Sequence, residues 1–123
     1  MQRVLSRLRR ISLALPEAEE TLTFGHPTWK VKNKTFVVLE EYKGELAICF
    51  KATIANQALL TMDPQFYVAP YTGKHGWTSM RAAGSLEWNA IEDFIRESYR
   101  LVAPKRLAMA LMDTAPIQRT RRK

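Results

Sequence analysis

The stretch FGHPTWKVKNKTF, Phe24 to Phe36, decides how the chain is read, because it packs a turn signal, a tryptophan and spaced lysines into one short segment. Glycine and proline flank His26. Proline disfavours helix at the residue before it, so Phe24 to Pro27 is expected to be a turn. From Thr28 to Lys32, Trp29 and Val31 alternate with Thr28, Lys30 and Lys32. That is the period of a half-buried strand, with both apolar side chains on one face. Asn33 and Lys34 supply a tight connection, Thr35 to Glu40 reads as the next strand, and a turn around Lys43 and Gly44 leads into a third, Leu46 to Phe50. The segment is the start of an antiparallel meander.

Working outward, Val4, Leu8, Ile11 and Leu15 recur at spacings of three and four and predict an amphipathic helix that Pro16 ends. Arg3, Arg7 and Arg10 fall at i, i+4 and i+7 on another face of it, a cationic ridge that a hydrated back face would also produce. The acidic PEAEE that follows reads as a link. Beyond the meander, Thr53 can cap a helix carrying Ile54, Ala58, Leu59 and Met62, which Asp63 and Pro64 close. Gln65 to Ala69 reads as a short strand, Pro70 to Gly76 as a loop and Trp77 to Ala82 as a strand. Ser85 can cap a long helix with Trp88, Ile91, Ile95 and Val102 on one side, and Pro104 breaks it or opens a last helix with Leu107, Leu111 and Met112 as its apolar face. The expectation is one domain over residues 1–113, with a basic, unstructured tail at 114–123.

Composition sets bounds. A chain of 123 residues, 46% hydrophobic and 25% charged, lies within the globular range and is long enough for a self-supporting core. No apolar run approaches membrane-spanning length, arginines interrupt the N-terminal apolar residues, and the single cysteine, Cys49, sits in LAICF as a small strand hydrophobe. A cytoplasmic protein with no membrane partner is expected. The net charge of +7 comes largely from the tail QRTRRK, since without its four cations fifteen basic side chains face twelve acidic ones.

His26, His75 and Cys49 come from a turn, a loop and a strand interior without metal-ligand spacing, so no metal or cofactor is expected. Ser79 lacks the flanking glycines of a nucleophile elbow, and the five glycines are scattered singly, so neither a hydrolytic triad nor a phosphate loop is indicated. No catalytic residue is assigned. Rings next to cations are more informative: Trp29 adjoins Lys30, and Lys74 and His75 stand close to Trp77. Arg96 and Arg100 lie one helical turn apart, with Lys105 and Arg106 beyond. Rings stack on bases and cations neutralise phosphates. Lys30, Lys32, Lys34, Lys74, Arg96, Arg100, Lys105 and Arg106 are therefore the candidate nucleic-acid contacts. A tryptophan anchoring a sheet interior with lysines alternating outward gives the same pattern, and both readings stand.

Three segments together resemble the MmcQ/YjbR-like family of small bacterial proteins. FGHPTWKV with NKTF is similar to that family's Phe-Gly-His-Pro block and first hairpin, PYTGKHGWTSM to its loop and tryptophan strand, and ESYRLVAPKRLA to its Ser-Tyr-x-Leu-Val helix. The likeness runs from about Ile11 to Leu111. It implies an α+β fold of two layers, an antiparallel sheet packed against helices as in type III secretion chaperones, and a DNA-binding role without catalysis. The motif residues it carries over, Phe24, Gly25, His26, Pro27, Lys34, Trp77, Ser98 and Tyr99, have no role attached, and His75 is a further residue of open role. The alternative expectation is a protein-interaction or chaperone-like module using an exposed sheet face or edge, as a monomer or weak homodimer. A ligand or enzyme site around His26, Lys34 and His75 near Trp77 stands third.

Overall fold

The computed structural model describes residues 2–113, so the tail at 114–123 lies outside the described residues. Helix α1 (Gln2–Leu13) is followed by strands β1 (Ala18–Thr23), β2 (His26–Val31), β3 (Lys34–Tyr42) and β4 (Glu45–Lys51). Helix α2 (Ile54–Leu60) leads to β5 (Phe66–Val68), a 3-10 turn at Gly73–His75 and β6 (Trp77–Arg81), before α3 (Trp88–Val102) and α4 (Lys105–Asp113) close the chain. The six strands form one antiparallel sheet in the order β1-β2-β3-β4-β6-β5. Helix α3 lies across β3 and β4, α1 packs on β1, β2 and α3, and α4 packs on α3. This is the expected α+β architecture.

Strand β1 was not expected. Its sequence AEETLT is polar and its exposure does not alternate, because it is an edge strand whose order comes from pairing with β2 rather than from a buried face of its own. The expected turn at Phe24 to Pro27 shrinks to Phe24 and Gly25, with φ of 51° and 81°, and His26 and Pro27 belong to β2. Pro27 stands opposite Leu22, and the β2–β3 ladder starts only at Thr28, so the missing N–H removes no ladder bond. Lys32 and Asn33 (φ 48° and 68°) and Lys43 and Gly44 (φ 53° and 80°) make two more two-residue hairpins of the same left-handed type, whose twist matches that of the strands.

The core lies between the sheet and α1 and α3. Leu8, Trp29, Val31, Leu39, Ile48, Ile91 and Ile95 are fully or almost fully buried. One irregularity organises it. Trp29 faces Val37 and Lys30 faces Thr35, which leaves Phe36 as an extra residue in β3, a bulge that turns both Phe36 and Val37 into the core. Ser98 on α3 closes this bulge: its hydroxyl donates to the Phe36 carbonyl at 2.7 Å and accepts the Lys51 N–H at 2.9 Å. Tyr99 packs edge-on to the Phe36 ring at 5.3 Å and donates its hydroxyl to the Pro16 carbonyl at 2.6 Å, tying the α1–β1 link to α3. The Ser-Tyr pair is thus a structural clamp.

Two caps differ in outcome. Thr53 accepts the Asn56 N–H at 3.0 Å and starts α2 as expected. Ser85 does not cap α3; the helix begins at Trp88 with Glu87 at its cap position and no side-chain bond there, while Ser85 stays in the preceding loop. Gly76 (φ 97°) is required where it stands, because a Cβ would collide with the Ala52 carbonyl and the Gly76 carbonyl accepts the Ala52 N–H at 2.9 Å.

Candidate functional site

The eight candidate nucleic-acid contacts do not come together on one surface. Arg96 is a correction: it is buried, at 9% exposure, and its guanidinium donates to the Leu111 carbonyl at 3.3 Å. Helix α4 folds back over that side of α3 and covers what periodicity alone places in water. Lys32 and Arg106 converge on one carboxylate, with Lys32 Nζ 2.7 Å from Glu17 Oε1 and an Arg106 guanidinium nitrogen 3.3 Å from Oε2. Hydrogen bonding to Lys32, and then to Arg106, holds the Glu17 carboxyl below the usual carboxylate range. Lys30 stands across from Glu19 on β1. Lys34, Arg100 and Lys105 are exposed, and Lys74 is exposed in the 3-10 turn beside β6, at the far side of the sheet from β2.

Helix α1 presents a different picture. Arg9 is committed to the fold, its guanidinium holding both oxygens of Glu20 at 2.8 and 2.7 Å while Trp29 Nε1 donates to the same carboxylate at 3.1 Å. Arg9 in turn keeps the Glu20 carboxyl below its ordinary range. On the other side of the helix, Arg3, Arg7 and Arg10 line a groove of about 630 Å³ with Leu86, Trp88 and the Gly84–Ser85 turn. All three arginines are exposed and none has an acidic partner among the described residues. The Arg7 guanidinium lies over the Trp88 ring, 4.9 Å from its centre, which holds the cation in place and leaves its edge donors outward. The first turn of α3 opens beside it, with the exposed Glu87 at the cap position offsetting the partial positive charge of the helix N-terminus. The spacing of Arg3, Arg7 and Arg10 was legible in the sequence, but the loop and ring that turn the ridge into a groove come from another part of the chain.

The sheet face turned away from α3 carries the remaining candidates. Along it Thr35, Val38, Glu40, Cys49 and Trp77 line an open groove of about 430 Å³, rimmed by Pro70, Tyr71 and Thr72. Trp77 is half-buried there. Cys49 is more than the small hydrophobe expected, for its thiol donates to Glu40 Oε2 at 3.1 Å and lies 3.2 Å from Ser79 Oγ. Burial pushes this thiol up to about 12, so it is a neutral donor rather than a nucleophile. His26 lines a small adjoining cleft with Gly25, Pro27 and the same Glu40, whereas His75 is exposed in the 3-10 turn, so the two histidines are not brought together. Among the described residues no group of His, Cys, Asp and Glu has the arrangement of a metal site, and no helix is long and apolar enough to cross a membrane.

The comparisons with known proteins agree with this architecture. The model of the family described as YjbR matches residues 13–101. A crystal structure of a Deinococcus radiodurans protein containing the domain DUF419 superposes with a TM-score of 0.72 at 21% identity, covering 88% of this chain and 87% of that one, a likeness of fold. No curated protein matches.

Proposed function

The chain belongs to the YjbR family, and on that premise we propose that it binds nucleic acid without catalysis, through the arginine groove of α1. The resemblance to this family supplies the expectation of a DNA partner. The observation that carries the reading is the uncompensated trio Arg3, Arg7 and Arg10 with Trp88. A helix rises about 1.5 Å per residue, so these guanidinium groups issue at steps of about 6 and 4.5 Å along one ridge, close enough to meet neighbouring phosphates of one strand. Guanidinium groups bind phosphate oxygens through paired N–H donors, and the Trp88 ring offers a flat surface beside them.

Three phosphates neutralised on duplex DNA give a slope of log K against log salt of about −2.7, which is about a 40-fold loss of affinity between 50 and 200 mM. Fluorescence anisotropy with a labelled duplex and a single-stranded oligonucleotide across a salt series measures it. A slope at least this steep supports the proposal, and absence of binding to either oligonucleotide at the lowest salt ends it.

A further inference from the structure

The open sheet face holds a second feature that nucleic-acid binding does not use. We propose that the groove between Glu40 and Trp77 binds a small organic cation, an ammonium group on an apolar or aromatic body.

The groove has the size and lining of a small-ligand site. Its volume of about 430 Å³ falls within the range of pockets for drug-sized molecules, and its walls are mainly apolar, from Val38, Pro70, Tyr71 and Trp77. One charged side chain faces it. Glu40 is half-buried on β3, receives the neutral Cys49 thiol, and has no cation within ion-pair distance among the described residues. Glu40 also borders the small cleft of His26, and the nearest lysine or arginine in its row of the sheet is Arg81, two strands away beyond Ala47 and already held by Glu45 and by the Pro64 carbonyl. Lys30 and Lys51 lie farther along, Lys51 directly opposite Trp77. A carboxylate left without a counter-charge in an apolar wall favours a cation that brings its own apolar surface.

The rim supports this. Tyr71 is 98% exposed and held at φ 69°, a conformation that bulky residues rarely adopt. It borders the groove together with Trp77, so an aromatic body can pack on these rings while the ammonium meets Glu40. The Cys49 thiol, itself 3.2 Å from Ser79 Oγ, holds Glu40 Oε2 at 3.1 Å, which orients the carboxylate before a ligand arrives.

The test uses the full chain, with phenethylamine as the probe and phenylacetate, its counterpart of opposite charge, as the control. Amide shifts in a 15N NMR titration should move saturably at Val38, Glu40, Cys49, Tyr71 and Trp77 with phenethylamine, and phenylacetate should bind at least 10-fold more weakly. Glu40→Gln should abolish that preference, and Tyr71→Gly, which relieves the backbone while removing the ring, should weaken phenethylamine several-fold in a protein that still folds. Equal binding of both probes, shifts confined to other surfaces, no binding of either, or undiminished preference in E40Q would each overturn the proposal. This groove is separate from the α1 groove, so either site can fail alone.

Discussion

Two clusters of positive charge sit on this molecule, two cations at one and three at the other, and what sets them apart is compensation. Around Glu17, Lys32 and Arg106 are drawn from a hairpin and from α4 onto one carboxylate, and their charge is spent on joining parts of the fold. On α1, Arg3, Arg7 and Arg10 point into a groove with no acid in it, and Trp88 steadies the middle one. A count of cations says nothing of that difference. Only the fold tells a neutralised cation from one still able to attract a phosphate.

The contrast can be broken by substitution. Arg3→Gln with Arg7→Gln and Arg10→Gln should make the salt slope for duplex DNA shallower by about 2.7, the share of three phosphates. Lys32→Gln with Arg106→Gln should change it far less. Equal effects of the two sets would erase the distinction.

Stability variants sharpen it from the other side. Ser98→Ala leaves the Phe36 carbonyl and the Lys51 N–H without their buried partner and should cost about 2 kcal/mol in urea unfolding. The salt slope should not move, because Ser98 clamps the fold away from either cationic region. Ser12, on the buried side of α1, is the one described side chain whose buried polar atom lacks a partner. Ser12→Ala should therefore raise stability, by about 1 kcal/mol, without altering DNA affinity.

The smallest expected effect concerns pH. Arg9 lowers the folded pKa of Glu20 below its unfolded value of about 4.3, so the pair stabilises the fold above that pH and the contribution fades as pH falls through the folded value. Thermal unfolding between pH 6 and 3 should show a steeper acid-side fall in the native protein than in Glu20→Gln. The pair is largely exposed, which keeps the difference small.

Much of this fold is legible in the sequence because its signals are local. Alternation marks β2, β3 and β4, a threonine cap marks α2, and helical periodicity marks α1 and α3. What stays hidden depends on partners distant in the chain. Strand β1 has no apolar pattern of its own and exists through β2. The bulge at Phe36 places two successive residues inward, against strict alternation, and is closed from 62 residues away by Ser98. Arg96 has the spacing of a surface residue and is buried by α4. The candidate sites follow the same rule. The α1 ridge is written in the spacing of its arginines, whereas Leu86 and Trp88, which turn it into a groove, arrive through the fold. On the open sheet face Glu40 looks like ordinary surface at an outward position of its strand, and Cys49 reads as a small hydrophobe, so neither shows the bond between them.

The central claim is that α1, not the Glu17 node, meets the polyanion. The most direct test is a 15N NMR titration of the full chain with a short DNA duplex at low salt, followed residue by residue. The account predicts the largest amide shifts at Arg3 to Arg10 and Gly84 to Trp88, with Lys30 to Lys34 and Lys105 to Arg106 nearly still. The reverse pattern, with the hairpin and α4 moving and α1 unaffected, would contradict it.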